Sequence, residues 1–287
     1  VRLTPKRILY TLCDMGDPMK SYPAAIDGLV VEHNGGVLAV RFDRPDRRNA
    51  LTDDMVLGLI DIVDAASSDE SVRVIHITGT GEHFCSGFDL SLRGSGGDKP
   101  RAGATQRQMR WHINRLVLAM QQCQTPIVVS VKGWAIGLGM NIALASDFVV
   151  AADDARFWAP FVDSAFTPDS GGSWLIPRLV GIARAKEMIL LGRKVSGKDA
   201  SDWGLVHSAV PNSELDEAVA ALLAELADRP TVALGLAKQL IHGAPTSELE
   251  PHLAQEGLAL ELSSRSEDFH ENSRARRESR GPDFTGR

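Results

Sequence analysis

A chain of 287 residues, 44% hydrophobic and 24% charged, has the make-up of an ordinary globular protein and the length for one large or two modest domains. Its formal net charge of -6 gives no basic footprint, which argues against DNA or RNA as a partner. The longest charge-free apolar stretch near the centre, between Lys132 and Asp147, falls short of the roughly 20 residues of a membrane helix, so no membrane span is expected. Cys13, Cys85 and Cys123 form neither a disulfide framework nor a metal motif, and the histidines show no zinc-binding spacing, so the reading is a cytoplasmic protein without a bound metal.

Residues 1–25 read as a poorly ordered tail: Val1 to Pro18 mixes Arg2, Lys6 and Arg7 with short apolar runs, lacks the core of a secretory signal, and leaves Met19 as a candidate start. Residues 26–210 then alternate strands with helices. Leu29 to His33 and Val37 to Phe42 flank Asn34-Gly35-Gly36, a hairpin signal. After a turn-rich loop from Arg44 to Ala50, Thr52 is set to cap a helix with Asp53 and Asp54 in its first turn and Val56, Leu59, Ile60 and Val63 on one face. Val72 to Thr78 alternates as a strand, Gln106 to Gln122 has helical spacing, and strands are expected at Pro126 to Val131 and Phe148 to Ala151. Successive strands joined by helices point to a β/α architecture. Residues 211–287 change character into four amphipathic helices, Glu214 to Ala227, Thr231 to His242, Ser247 to Leu262 and Glu267 to Arg277.

Two loops carry the chemistry-bearing signals. Gly81-Glu-His-Phe-Cys-Ser-Gly-Phe-Asp-Leu90 follows one strand, and Gly133-Trp-Ala-Ile-Gly-Leu-Gly139 follows another and leads into a helix at Met140. Glycines at strand ends let backbone approach a ligand, and a helix N-terminus adds free N–H donors that suit an oxygen gaining charge. The same glycines also suit tight packing of a helix on a strand. Arg93 to Gly103, rich in glycine and charge, reads as a loop that either covers a pocket or is plain surface. Cys85 lies in a motif loop, but with no His/Asp partner pattern beside it a small buried side chain is the better reading than a nucleophile.

With Asn49-Ala50-Leu51 and Pro168-Asp-Ser-Gly-Gly172, these two loops resemble the enoyl-CoA hydratase/isomerase (crotonase) superfamily in wording, order and spacing over about residues 26 to 287. The resemblance implies an α/β fold, a crotonase-like spiral of ββα units with a C-terminal helical oligomerisation region, assembled as a homotrimer or a dimer of trimers. It implies an acyl-CoA substrate, with no cofactor beyond the CoA that is part of it. Backbone N–H groups of Phe88 and Leu138 would hold the thioester oxygen. The CoA would run past Arg48, Ala50, Ser86 and Leu90, with Arg47 and Arg48 free to meet phosphates or to stay solvated.

The departures from the family's pattern bear on the reaction. A hydratase of this kind holds a water between two glutamates, and the matching positions here are Asn141 and Phe161. Neither has a proton to exchange near neutral pH. Asp169 matches the aspartate of several isomerases of the superfamily, where one carboxylate takes a proton from one carbon and returns it to another. Phe157, Trp158, Phe161, Phe166 and Trp174 are near enough in sequence to wall it with apolar surface. The alternative for Asp169 is a cap on the helix starting at Ser170 or Gly171. A second reading is an atypical hydratase or hydrolase in which Asp163 or Asn141 assists water, although a solvated or structural place suits Asp163 better; Asp89 matches a loop aspartate of structural role, and a noncatalytic acyl-CoA carrier is a third reading.

Overall fold

The computed structural model describes residue 22, residues 26–92 and residues 101–287; the rest of the expected N-terminal tail, residues 1–21 and 23–25, and residues 93–100 of the glycine-rich loop lie outside the described residues. The hairpin forms as expected, β1 (Leu29–Asn34) against β2 (Val37–Phe42), with Asn34 opposite Val37 so that Gly35 and Gly36 alone make the turn. Both have positive φ, 57° and 81°, which the right-handed twist of a two-residue hairpin demands. Helix α1 (Asp53–Ala66) starts where its cap predicts, with Met55 N–H donating to Thr52 Oγ1 at 3.2 Å.

Strands β3 (Val74–Gly79), β4 (Ile127–Val131), β6 (Phe148–Ala152) and β9 (Ser208–Val210) join the hairpin in one six-stranded sheet of order β1-β2-β3-β4-β6-β9, parallel from β2 onward. Every residue of β4 is buried, as a strand covered on both faces must be. Three short strands absent from the sequence reading, β5 (Trp134–Ile136), β7 (Arg156–Trp158) and β8 (Val195–Ser196), form a second sheet of order β5-β7-β8. The chain thus leaves the large sheet at β4, crosses to β5 and returns through α4 (Leu138–Ala145), then repeats the path through β6, β7 and α5 (Gly172–Leu190). These are turns of a ββα spiral. The turn after β3 reduces its second strand to a single bridge, Cys85 to Ala135.

The helix expected over 106–122 is α2 (Ala104–Gln108) and α3 (Asn114–Gln122), joined without a break by a π-helical turn, Met109–Ile113. Leu38, Phe42, Leu59, Ile62, Ile75, Ile77, Leu116 and Met120 meet in the core between the sheet and these helices. Helix α6 (Gly197–Asp202) precedes β9, and α7 (Leu215–Ala227) then packs Leu226 on Val74 and Val128 on the other face. Lys238 of α8 (Thr231–Gly243) ties that helix to the core through Asp147, 2.7 Å away and nearly buried. Helices α9 (Leu249–Ser263) and α10 (Glu267–Glu278) complete the run, and α10 holds the end of the chain by Asp268 and Glu271, which accept from the backbone N–H groups of Thr285, Gly286 and Asp283. Among the described residues, no helix is long and apolar enough to cross a membrane.

Candidate active site

Loop 80–90 is locked in place by Asn49, which is fully buried. Its Nδ2 donates to the carbonyls of Thr80 (2.9 Å) and His83 (2.7 Å), and its Oδ1 accepts from Arg44 N–H (2.9 Å). The loop then runs parallel to residues 47–51: Ser86 N–H donates to Arg48 O, Leu51 N–H to Gly87 O and Asp89 N–H to Leu51 O. On its other side Cys85 N–H donates to Trp134 O and Ile136 N–H to Cys85 O. The two motif loops are therefore strapped together by main-chain bonds.

Their contact is close enough to forbid side chains at two glycines. A Cβ on Gly87 would stand 2.9 Å from Ile136 O and 3.5 Å from Leu138 N, and one on Gly139 would stand 2.7 Å from Cys85 Cβ, O and Sγ. Gly139 thus answers to packing and Gly87 to the space in front of the Leu138 N–H. Gly137, at φ 52°, turns the chain into α4, and Leu138 is that helix's first residue. Its N–H sits among the unpaired donors of a helix start, where partial positive charge gathers.

A narrow cleft of about 120 Å³ opens at this junction, lined by Ser86, Phe88, Leu90, Leu138, Phe161 and Asp169 among others. Six of the residues singled out by sequence are brought together there. Arg48 and Ala50 do not line it; Arg48 is exposed and joined to the cleft through its carbonyl's bond with Ser86 N–H. Two larger cavities, of about 770 and 510 Å³, lie between α3, α5 and α8; they hold Trp174, expected as a wall of the Asp169 site, and none of the expected catalytic or CoA-contacting residues.

The expected aromatic wall is corrected by the fold. Phe161 and Phe166 line the cleft, but Phe157 points into the core, fully buried. Trp158, next along β7, points the opposite way, packs on Trp134 and donates its indole N–H to Gly192 O. Trp174 faces outward under the guanidinium of Arg178, 3.8 Å from its ring centre. Ile113, Ile136, Pro160 and Ser164 complete the lining instead. Ile113 arrives there from the π-helical turn, a local widening that helical periodicity does not signal.

Asp169 is the one ionisable side chain among the described residues lining the cleft. Helix α5 begins at Gly172, with Gly171 as its N-cap residue, and the Asp169 carboxylate accepts from Ser170 Oγ at 2.8 Å. Asp163 is exposed on the 162–164 turn and lies against Gly192, outside the cleft lining. Asn141 is fully buried behind the lining, its Nδ2 committed to Asp169 O and Ser170 Oγ. Asp89 is tied to Ser91 and Arg44; the Ser91 hydroxyl and then Arg44 hold its carboxyl below the usual range. Cys85 is sealed in the core, where burial pushes its thiol up to about 12.

The enoyl-CoA hydratase/isomerase family model matches residues 32–287. The chain is 35% identical to the 1,2-epoxyphenylacetyl-CoA isomerase of Escherichia coli K12 over 252 residues, 88% of this chain and 96% of that protein. It is 33% identical to the 2,3-dehydroadipyl-CoA hydratase of the same organism over 90% of this chain and 99% of that one. The crystal structure of an enoyl-CoA hydratase from Bacillus anthracis superposes with a TM-score of 0.83 at 29% identity, covering 91% of this chain and all of that one. With the spiral fold and these likenesses over nearly its whole length, the chain belongs to the enoyl-CoA hydratase/isomerase family of the crotonase superfamily.

Proposed function

We propose that this member of an acyl-CoA-handling enzyme family isomerises an unsaturated or ring-bearing acyl-CoA thioester by a proton shuttle on Asp169. The observation that carries the reading is that Asp169 brings the one carboxylate among the described residues lining the cleft, with Asn141 and Phe161 at the positions where family hydratases hold glutamates. The backbone N–H groups of Phe88 and Leu138 take the thioester oxygen. The carboxylate removes a proton from the α or γ carbon, the C–H electron pair passes into the thioester as a dienolate, and the same proton returns to the other carbon while the C=O re-forms. One carboxylate suffices because no water is added and no proton is lost. The likeness to an enzyme named as an isomerase of an epoxidised phenylacetyl-CoA supports the isomerase class.

Asp169→Asn tests it, since the amide keeps the shape and removes the basicity. Turnover of a 3-enoyl-, dienoyl- or ring-type acyl-CoA is expected to fall by at least about 10²-fold, with acyl-CoA binding and melting temperature little changed. Undiminished turnover would overturn the reading. Binding without turnover of any unsaturated thioester, in wild type and variant alike, would favour the noncatalytic carrier.

The proposed assembly is a homotrimer or a dimer of trimers. Helix α9 buries none of its residues and exposes Leu249, Leu253, Leu258, Leu260 and Leu262, more apolar surface than a lone helix leaves in water without a partner. Light scattering that finds a stable monomer at micromolar concentration would remove this assembly.

A further inference from the structure

Behind the cleft wall lies a short polar relay that the proposed reaction has not used. Asn141 is 0% exposed and Ser170 1%, so every hydrogen bond between them is shielded from water. Asn141 Nδ2 stands 3.1 Å from Asp169 O and 2.8 Å from Ser170 Oγ, and Ser170 Oγ stands 2.8 Å from Asp169 Oδ1. Chemistry fixes the direction of each bond. A main-chain carbonyl only accepts, so the amide atom facing Asp169 O is the nitrogen, and its two protons serve that carbonyl and Ser170 Oγ. Ser170 then cannot give its proton to Asn141. Its single proton goes to the Asp169 carboxylate.

The backbone is bent to make this possible. Ser170 has φ 46° and Gly171 φ 82°, two successive residues in the left-handed region, which a serine enters only at a cost. The Asn141 amide bonds both sides of the Asp169–Ser170 peptide and holds that turn. Gly172 leaves room for it, since a Cβ there would stand 2.9 Å from Asn141 Nδ2 and 3.1 Å from its Oδ1. Asn141 also lies three residues after Leu138 on α4, so one short helix carries both the Leu138 N–H and the amide that reaches Asp169.

We infer that Asn141 and Ser170 are positioning residues, which fix the Asp169 carboxyl group relative to the Leu138 N–H by a one-way relay from amide to hydroxyl to carboxylate. The amide at position 141 is thus more than a lost glutamate. A glutamate there would be an acceptor and could not drive the relay in this direction. The inference rests on Asp169 being the proton carrier, and the experiment separates the two.

Ser170→Ala removes the hydroxyl without asking for a new backbone shape. Expected is a fall in kcat of about ten-fold, the worth of one buried hydrogen bond to a charged group, with KM within about two-fold of wild type. The decisive arm is the same change in the Asp169→Asn background, where a residue that acts only through Asp169 has nothing left to act on and kcat should not fall further. Asn141→Asp, isosteric and without a donor once ionised, then turns the Ser170 hydroxyl away from Asp169, and assayed above the pH at which that carboxyl ionises it should lose at least as much as Ser170→Ala. Wild-type kcat in Ser170→Ala or in folded Asn141→Asp, with Asp169→Asn inactive, would overturn the inference and leave the proton shuttle standing. An equal loss from Ser170→Ala in both backgrounds would overturn it too, as a plain structural effect. Full activity in Asp169→Asn would overturn the shuttle and the relay together.

Discussion

The cleft has two walls of different kinds. One, from residues 84–90 and 133–139, is built of backbone: main-chain bonds strap its loops together and glycines at 87 and 139 keep side chains out. The other, from Phe161, Phe166 and Asp169, is built of side chains projecting from irregular chain. A backbone N–H is the same whatever side chain it carries, so Phe88 and Leu138 can differ among relatives while the donors remain. On the side-chain wall each replacement changes what can be done. A shared family with relatives named as isomerase and hydratase is what this division leads one to expect.

The largest expected effect lies on the side-chain wall. With Asn141 and Phe161 in place of two water-holding carboxylates, crotonyl-CoA should be hydrated feebly, since each acid–base group contributes typically about 10²- to 10⁴-fold. A spectrophotometric assay of crotonyl-CoA consumption checks this. Efficient hydration would mean that the backbone wall and a group outside the cleft lining do the work, and the contrast between the walls would collapse.

The backbone wall breaks at Gly87. An added methyl would press on Ile136 O and crowd the Leu138 N–H, at a φ of 92° that alanine resists. Gly87→Ala should cost about 10²- to 10³-fold in kcat, the loss seen when one oxyanion donor is removed. Steady-state rates on the same thioester used for Asp169→Asn give the comparison directly. A fully active Gly87→Ala would show that this wall only packs.

How much of this was legible in the chain divides along the same line. The hairpin, the Thr52 cap and the C-terminal helices stand within a residue or two of their expected places, because alternation, turn glycines and capping groups are local signals. Strands β5, β7, β8 and β9 are not visible in the sequence: two or three residues are too few to show a period. The backbone wall could be read from glycine spacing, whereas the aromatic wall could not be read from nearness in sequence. Phe157 and Trp158 are neighbours that a strand sends to opposite faces. Ser170 carries no such signal, because nothing local says that a serine will take a left-handed turn; the amide of Asn141, 29 residues earlier, bonds it there.

A smaller effect separates two glycines of the backbone wall. A Cβ at Gly139 meets three atoms of Cys85 at 2.7 Å, while one at Gly137 meets nothing nearer than Phe161 Cζ at 4.0 Å and suffers only from φ 52°. Gly139→Ala should destabilise by about 1–3 kcal/mol through overpacking. Gly137→Ala should lose about 1–3 kcal/mol, the cost of holding alanine at φ 52° and ψ -117°, outside the left-handed helical well and in a region nearly reserved for glycine. Denaturant titration of both variants checks these losses, and a Gly139→Ala as stable as wild type would mean that the strapped loops can part.

The smallest effect is expected at Cys85, which sits in the middle of the backbone wall yet whose side chain contributes only its volume and two weak hydrogen bonds. Its thiol donates toward Asn49 O at 3.1 Å and its sulfur accepts from Gly87 N–H at 3.4 Å, both inside the core. Burial pushes the thiol up to about 12, so near neutral pH there is almost no thiolate to act as a nucleophile. Cys85→Ser keeps a donor and an acceptor in the same place, and its kcat should stay within about three-fold of wild type because nothing in the proposed reaction touches sulfur. Iodoacetamide at about pH 8 should leave Cys85 unmodified in the folded enzyme, as read by mass spectrometry of its peptide. The pH dependence follows from the same shift. Because the folded pKa lies above the unfolded one, near 8.5 by the usual reference value, the neutral thiol's contribution to stability is complete below about pH 8.5 and fades as pH rises toward about 12. Melting curves of wild type and Cys85→Ser should therefore converge or cross between those limits. Rapid alkylation with loss of activity, prevented by Cys85→Ser, would instead put a side chain at the centre of the wall assigned to backbone alone.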